Sequence, residues 1–323
     1  MKKNSIVILF LLVWNISKAD EGMWLINLIT HNMAQMEARG VKLTAEDIYS
    51  INHSSIKDAV VQLDDGGCTA ELISAKGLLL TNHHCGVDAI QLFSTPERNL
   101  LKDGFFAKSH KEELNVPGKT AMLLVNVEEV TSKILNGISD KLPNPDYFST
   151  LYSKMDSLAS VSTQNGKYYA IVKPMYNHNS FYLFLYERFL DVRLVAAPPS
   201  SIGNFGGDID NWHWPRHTGD FSMFRIYTNP DGKPAPYSTK NIPYVPKRFL
   251  NISLNGIKEG DFAMIIGYPG TTYRYSSSYE AKQARDVLAP WKDAVWGEFI
   301  RIIKEAQAKD AKVKVDYTDK HDM

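Results

Sequence analysis

The stretch that decides the fold reads Cys68-Thr-Ala-Glu-Leu-Ile-Ser-Ala-Lys-Gly-Leu-Leu-Leu-Thr-Asn-His-His-Cys85-Gly86. Two short apolar runs, Ala70–Ile73 and Leu78–Leu80, flank a turn that contains Gly77. This pattern predicts a β-hairpin in which Gly77 supplies the left-handed turn residue. Because a hairpin brings its two ends together, the two cysteines lie within reach of one another. A disulfide between them would stabilise the fold by about 3 kcal/mol through loop closure.

The N-terminus has the features of an export signal. Lys2 and Lys3 precede the apolar run Ile6–Trp14, and Ser17 and Ala19 are the small residues of a cleavage site. We therefore expect residues 1–19 to be a signal peptide and the mature chain to lie in the periplasm; the alternative is an N-terminal core helix. An oxidising compartment favours a disulfide over the alternative of two buried thiols.

The composition excludes two classes of protein. Of 323 residues, 36 are Lys or Arg and 36 are Asp or Glu, so the chain lacks the basic excess that nucleic-acid binding requires. No apolar run reaches the 18 or so residues of a membrane span, and we expect no membrane association after signal cleavage. With 44% hydrophobic and 11% aromatic residues, the chain has enough apolar surface to form a folded core.

The central two hundred residues have the pattern of short strands. They are rich in Val, Ile, Tyr and Phe, with Gly, Pro and Asn between the apolar runs. Few helices separate these runs, which favours an antiparallel barrel or sandwich over a parallel α/β sheet. The predicted strands include Ala121–Val127, Tyr168–Val172, Ser180–Tyr186, Val192–Ala196, Phe221–Tyr227 and Phe262–Gly267.

Helical patterns lie at both ends of this β-rich region. Met23–Met36 has helical spacing, and so does Tyr279–Ala311, which Pro290 should kink or divide. We interpret the second pattern as one or two helices that open a separate helical domain near residue 276. The polar, proline-containing stretch Asp140–Ser162 is expected to be a surface excursion.

Two histidine-containing segments hold candidate catalytic residues. The first is Asn82-His83-His84-Cys85, and the second runs from Asn211 to Asp220. A histidine at a strand end beside a disulfide is a well-held general base, and such a base needs a carboxylate that fixes its tautomer. Asp220 fits because it directly precedes the apolar strand that starts at Phe221, where a semi-buried acid needs a polar partner.

A metal site is the alternative chemistry for the same histidines. Its ligands would be His83, His84, His213 and His217. Pro215 forbids the helix that would align His213 with His217, and the spacing matches no structural zinc site. We expect no metal and no cofactor.

The histidine segment resembles the strand–disulfide–histidine element of chymotrypsin-like serine peptidases. Longer strings resemble the bacterial periplasmic dipeptidyl-peptidase family that includes dipeptidyl-peptidases 7 and 11. These strings are Asp20-Glu-Gly-Met-Trp24, Asn82-His-His-Cys-Gly86, Asn204-Phe-Gly-Gly-Asp208 and Trp214-Pro-Arg-His-Thr-Gly-Asp-Phe-Ser222.

The resemblance implies roles for individual residues. His84, which directly precedes a cysteine, would be the general base, and Asp220 the acid that orients it. Asn211 and Trp212 match positions that bind the free α-amino group of the substrate. The substrates would be oligopeptides with a free N-terminus, cut after the second residue.

The resemblance also implies an architecture. It is mainly β, a chymotrypsin-like double β-barrel with an inserted α-helical domain that caps the cleft. Residues 20–275 would form the first barrel, and residues 276–323 the beginning of the helical cap. Family members are commonly dimers, so a homodimer is possible.

The serine nucleophile of the family has no match in this sequence. The conspicuous serines are Ser54-Ser55, Ser200-Ser201 and Ser276–Ser278, and none lies in a Gly-x-Ser-Gly turn. We therefore expect the N-terminal part of a longer serine-type dipeptidyl-peptidase, inactive alone because it lacks the second barrel. The alternative is a non-catalytic periplasmic peptide-binding protein with a degenerate site.

Overall fold

The structure, a computed structural model, describes residues 23–139, 141–207, 213–270 and 276–318. The predicted signal peptide, Asn211 and Trp212 therefore lie outside the described residues. The strands are β1 (Val60–Leu63), β2 (Cys68–Leu72), β3 (Leu78–Thr81), β4 (Phe105–Phe106), β5 (Leu114–Asn115), β6 (Ala121–Glu129), β7 (Tyr169–Met175), β8 (Ser180–Phe189), β9 (Asp191–Ala197), β10 (Ser222–Thr228) and β11 (Ile242–Pro243).

The α-helices lie before, between and after these strands. Residues Ile26–Asn32 form a 3-10 helix that leads into the first α-helix. The helical segment predicted at Met23–Met36 is therefore confirmed. The α-helices are α1 (Met33–Ala38), α2 (Ala45–Ile48), α3 (Val87–Leu92), α4 (Leu100–Asp103), α5 (Thr131–Leu135), α6 (Asn144–Ser162), α7 (Ser200–Gly203), α8 (Ser278–Gln283), α9 (Ala289–Gln307) and α10 (Ala311–Asp316).

The described strands form one antiparallel sheet in the order β4-β9-β10-β3-β2-β1-β6-β8-β7. Strand β5 pairs with β9, and β11 pairs with β10. The prediction of a mainly antiparallel β fold is confirmed. No pairing among the described residues joins β4 to β7, so barrel closure, the second barrel and the domain limits at residues 20, 275 and 276 stay predictions.

The central strands have apolar sequences because their side chains form the main hydrophobic core. Buried side chains of β1, β2, β3, β6, β9 and β10 pack together, among them Val61, Leu72, Leu79, Leu194 and Phe224. All four residues of β1 are buried, as are six of the seven residues of β10. Burial on both faces follows from the helices and loops that cover the sheet.

The β2–β3 hairpin forms as its sequence predicts. Leu72 pairs with Leu79, and Gly77 has a φ of +63°. A Cβ atom at Gly77 would lie 2.9 Å from the carbonyl oxygen of Ile226, so the turn also requires glycine for space. The Oγ of Ser74 accepts hydrogen bonds from the backbone N–H groups of Lys76 and Leu78 and completes the turn.

One prediction about secondary structure is incomplete, because it gave a surface position without a helix, and one is wrong. The expected surface excursion is the 19-residue helix α6, whose Leu151 and Met155 are buried against β7 and β8. The expected strand at residues 262–267 has no strand pairing. Its Phe262 and Ile266 instead pack against the cluster that includes Met36 and Ile48.

The C-terminal region is helical, as predicted. A π-helical turn, Ala284–Leu288, separates α8 from α9, and Pro290 lies in the first turn of α9. Proline has no N–H and crowds the preceding turn, which accounts for the irregularity at the expected place. No helix among the described residues is both long and apolar enough to cross a membrane.

Candidate active site

The register of β3 with β10 brings the two histidine-containing segments together. Thr81 pairs with Ser222 in this antiparallel ladder. Residues that follow Thr81 therefore lie beside residues that precede Ser222, which places His84 next to Asp220. The two side chains come from positions 136 residues apart in the chain.

His84 and Asp220 are in contact. The Nδ1 atom of His84 lies 3.3 Å from Oδ2 of Asp220. The carboxylate is almost fully buried, with 6% of its side chain exposed, whereas 56% of the His84 side chain is exposed. An imidazole whose Nδ1 contacts a buried carboxylate, and whose ring is otherwise open to solvent, has the geometry of a general base.

Asp220 accepts hydrogen bonds at both oxygens. The backbone N–H groups of His83 and His84 donate to Oδ1 over 2.5 and 3.4 Å. The Nδ2 of Asn82 and the Nη1 of Arg216 donate to Oδ2 over 3.0 and 3.1 Å. Burial pushes the pKa of Asp220 up, but the hydrogen bonds from His84, from the His83 N–H and from Arg216 outweigh it, and the pKa lies well below its usual range.

The two adjacent histidines have different environments. The His83 side chain is buried, with 1% of the residue exposed, and its ring packs directly on Gly203 of α7. Burial lowers the pKa of His83 against the opposing attraction of the Asp220 charge. His83 therefore fills the space beneath the site, while His84 is the histidine that is open to solvent.

The predicted disulfide is present beside this pair. Cys68, at the start of β2, is bonded to Cys85, with 6.0 Å between their Cα atoms. Cys85 directly follows His84, so the bridge ties the histidine turn to the other end of the hairpin. This restricts the backbone that carries the imidazole.

Two further contacts fix the turn after His84. A Cβ atom at Gly86 would lie 2.7 Å from the Oγ of Ser222, so only glycine lets this turn approach β10 so closely. The Oγ of Ser222 donates to the carbonyl oxygen of Asn82 over 2.8 Å. Ser222 is fully buried, and its hydroxyl is unavailable as a nucleophile.

Lys119 anchors the helix that continues from this turn. Its Nζ lies 2.7 Å from Asp64 and 3.3 Å from Asp88, and 2% of the Lys119 side chain is exposed. Asp88 belongs to α3, which begins directly after Gly86. Lys119 therefore links α3 to the β1–β2 turn and holds the helix that follows the His84 turn.

The four histidines of the alternative metal site do not assemble. Among the described residues, the one group of three side chains with metal-ligating atoms close together is Cys68, His84 and Cys85. Both sulfur atoms of that group are in the disulfide. His83, in turn, is packed beneath the site against Gly203.

Sequence reasoning missed Asn82 and Arg216 as partners of Asp220. Asn82 stands in the histidine segment, and Arg216 lies four residues before Asp220. Opposite charges four residues apart were the available signal. That spacing is informative in a helix, whereas residues 213–221, which contain both side chains, form no helix.

A comparison with protein-family models matches residues 19–323 to the family described as Peptidase S46. The chain belongs to the Peptidase S46 family. Among S46 relatives, dipeptidyl-peptidase 7 of Capnocytophaga gingivalis is 44% identical over 317 residues, which are 97% of this chain and 44% of the relative. An Asp/Glu-specific dipeptidyl-peptidase of Porphyromonas gingivalis is also 44% identical, over 99% of this chain and 46% of the relative.

Solved S46 structures share the fold. The Porphyromonas endodontalis dipeptidyl-peptidase DPP11, crystallised with the dipeptide Arg-Asp, aligns with a TM-score of 0.85 at 42% identity. The alignment covers 94% of this chain and 44% of that protein. This chain therefore spans less than half the length of the S46 relatives it matches. The resemblance expected from the sequence motifs is confirmed.

Proposed function

We propose that this chain is the N-terminal part of an exported, periplasmic serine-type dipeptidyl-peptidase that releases dipeptides from the free N-terminus of oligopeptides. The contact of His84 Nδ1 with the buried Asp220 carboxylate, in a chain of the S46 family, carries the proposal. The relatives named above are dipeptidyl-peptidases, and one such relative has been crystallised with a dipeptide.

The geometry of the two residues supports the roles that we propose for them. The Nδ1–H of His84 donates a hydrogen bond to the Asp220 carboxylate, which leaves Nε2 as the basic nitrogen. His84 Nε2 takes the proton of a serine hydroxyl as that oxygen attacks the scissile carbonyl, and then returns it to the leaving amine. Asp220 stays ionised throughout and stabilises the imidazolium.

We propose that the serine comes from the part of the protein that corresponds to the rest of the relatives' length. A base and its carboxylate without a nucleophile and oxyanion-hole donors cannot carry out acyl transfer. The 323-residue chain is then inactive alone. Asn211 and Trp212 would capture the substrate ammonium group, which sets the cut after the second residue. The proposed acyl transfer requires no cofactor, because the serine supplies the nucleophile and His84 moves the protons.

The test is hydrolysis of dipeptidyl-coumarin substrates by the protein extended to the length of its relatives. We expect turnover that His84→Ala or Asp220→Asn reduces about 10⁴-fold, since each disables the base. The matched control is His31→Ala, which removes an exposed histidine outside the site and should leave turnover unchanged.

Three outcomes would contradict the proposal. Equal cleavage of N-acetylated substrates would exclude recognition of the free amino group. Turnover by the 323-residue chain, lost in His84→Ala, would place a nucleophile inside this sequence. Calorimetric binding of short peptides without hydrolysis by the extended protein would identify a binding protein instead.

A further inference from the structure

The Asp220 carboxylate is held in place unequally at its two oxygens. Oδ1 accepts the backbone N–H of His83 over 2.5 Å, a contact that belongs to the rigid turn after β3. The N–H of His84 also donates to Oδ1, over 3.4 Å, but hydrogen bonds tolerate a range of angles, so these bonds still permit a limited rotation about the Cβ–Cγ bond, which moves both oxygens together. The position of Oδ2, the oxygen that faces His84 Nδ1, therefore depends on its other partners.

Two side chains donate to Oδ2 besides His84. Asn82 approaches from the β3 side over 3.0 Å, and Arg216 from the segment before β10 over 3.1 Å. Asn82 is exposed, whereas only 25% of the Arg216 side chain is exposed. Both bonds have the ionised carboxylate as acceptor, but only Arg216 adds a positive charge and Coulomb attraction, so Arg216 is the stronger of the two restraints.

We propose that Arg216 is a positioning residue that holds Oδ2 of Asp220 against His84 and thereby fixes the Nδ1–H tautomer of the imidazole. The tautomer of a neutral histidine is set by the hydrogen bond that one of its ring nitrogens makes. Arg216 acts through Asp220 and does not touch the reacting atoms. The inference deepens the proposed function, because it concerns the residue proposed as the base.

The test measures the tautomer directly. The 323-residue chain is labelled with 15N-histidine, and the ring nitrogens of His84 are observed by NMR at about pH 8.5, two units above the ordinary histidine pKa. The His84 signals are assigned by their loss in His84→Gln. We expect the wild type to populate chiefly the Nδ1–H form. In Arg216→Gln the ratio of Nδ1–H to Nε2–H should fall about tenfold, the effect of losing one hydrogen bond between charged groups.

The control removes a different arginine–aspartate pair. Arg188 lies 3.4 Å from Asp65, and both side chains are partly exposed. Arg188→Gln should leave the His84 tautomer ratio at the wild-type value. Arg216→Lys, which retains the charge without the planar guanidinium, should give an intermediate ratio.

A double mutant separates positioning from a general structural effect. If Arg216 acts through Asp220, Arg216→Gln should not change the tautomer ratio when Asp220→Asn is already present. A tautomer ratio in Arg216→Gln and Arg216→Lys equal to that of the wild type would overturn the inference. An undiminished effect of Arg216→Gln in the Asp220→Asn background would also overturn it. Thermal unfolding followed by circular dichroism identifies which variants are folded; should Arg216→Gln not fold, Arg216→Lys decides.

The kinetic readout keeps this inference separate from the proposed function. In the extended protein, Arg216→Gln should lower kcat about tenfold with KM within about twofold of the wild type, because the base and not substrate binding is affected. A tautomer shift in a protein without peptidase activity would support the inference and contradict the proposed function. Full peptidase activity that depends on His84, with no tautomer shift in either Arg216 variant, would support the proposed function and contradict the inference.

Discussion

Five donors surround the Asp220 carboxylate: two backbone N–H groups and the side chains of Asn82, His84 and Arg216. Each of them favours the ionised form. The pKa of Asp220 is therefore lowered in the folded protein despite the opposing effect of burial, whereas in the unfolded chain it is about 3.9. A depressed folded-state pKa contributes stability above the unfolded value and loses it as the pH falls below that value.

Asp220→Asn should accordingly destabilise the protein at pH 7 and do so much less in acid. We expect the difference in unfolding free energy between wild type and variant to shrink steadily below about pH 4, since the unfolded wild type then gains a proton that the folded form resists. Urea unfolding at a series of pH values measures it. Asp231→Asn, in an exposed turn, is the control and should show little difference at any pH. A pH-independent effect of Asp220→Asn would show that its charge is not the cause.

Single residues were predictable where a local pattern constrained them. The Cys68–Cys85 bridge follows from the hairpin, and the proximity of His84 to Asp220 follows from the strands that flank them. Arg216 was not predictable, because its contact depends on the path of an irregular segment. The catalytic roles of His84 and Asp220 remain proposals for the assays described above.

Helix α7 is short, yet it packs closely against the site. A Cβ atom at Gly203 would lie 2.2 Å from Cδ2 of the His83 ring, and the His83 N–H donates to Asp220. Gly203→Ala should therefore displace His83 and destabilise the protein by about 1–3 kcal/mol, the usual cost of overpacking. Chemical denaturation measures the loss.

Gly297 supplies the control for this substitution. It lies within α9, and a Cβ atom there would meet no other atom within 4 Å. Gly297→Ala should stabilise the helix by up to about 1 kcal/mol through propensity alone. If Gly203→Ala proved as harmless as Gly297→Ala, the close packing of α7 on His83 would be wrong.

Elements were predictable where an apolar run coincided with a largely buried strand, as in β8 and β9. The surface excursion was expected from Pro143, Pro145 and a polar composition, but its helix α6 was not, because Leu151 and Met155 suffice to bury one face on β7 and β8. The apolar residues at positions 262 and 266 suggested a strand, but they fill a gap beside α1 and α2 without pairing. Tertiary packing overrode local preference in both places.

At the scale of the part of the chain that the structure describes, α9 differs from the sheet because most of its apolar side chains are exposed. Its apolar stripe includes Trp291, Val295 and Phe299, and 60% of Trp291 is exposed. Exposed apolar surface of this kind is typical of an interaction face. The 323-residue chain should therefore bind a hydrophobic dye and self-associate, and Trp291→Gln with Phe299→Gln should reduce both effects several-fold.

Sedimentation and dye fluorescence measure this prediction. Lys292→Gln with Lys304→Gln is the matched control, since it changes two other side chains of α9 and leaves the apolar stripe intact. A monomeric wild-type chain that binds no dye would contradict the prediction. So would an equal effect of the lysine variants.

The pairing of β3 with β10 has a consequence for how the molecule reaches its native state. These neighbours in the sheet join segments more than a hundred residues apart, a contact of high contact order. The chain entropy lost in closing so large a loop must be offset before the contact forms. No short stretch of nascent polypeptide holds both His84 and Asp220, so the imidazole acquires its carboxylate only when the distant halves of the sheet have met.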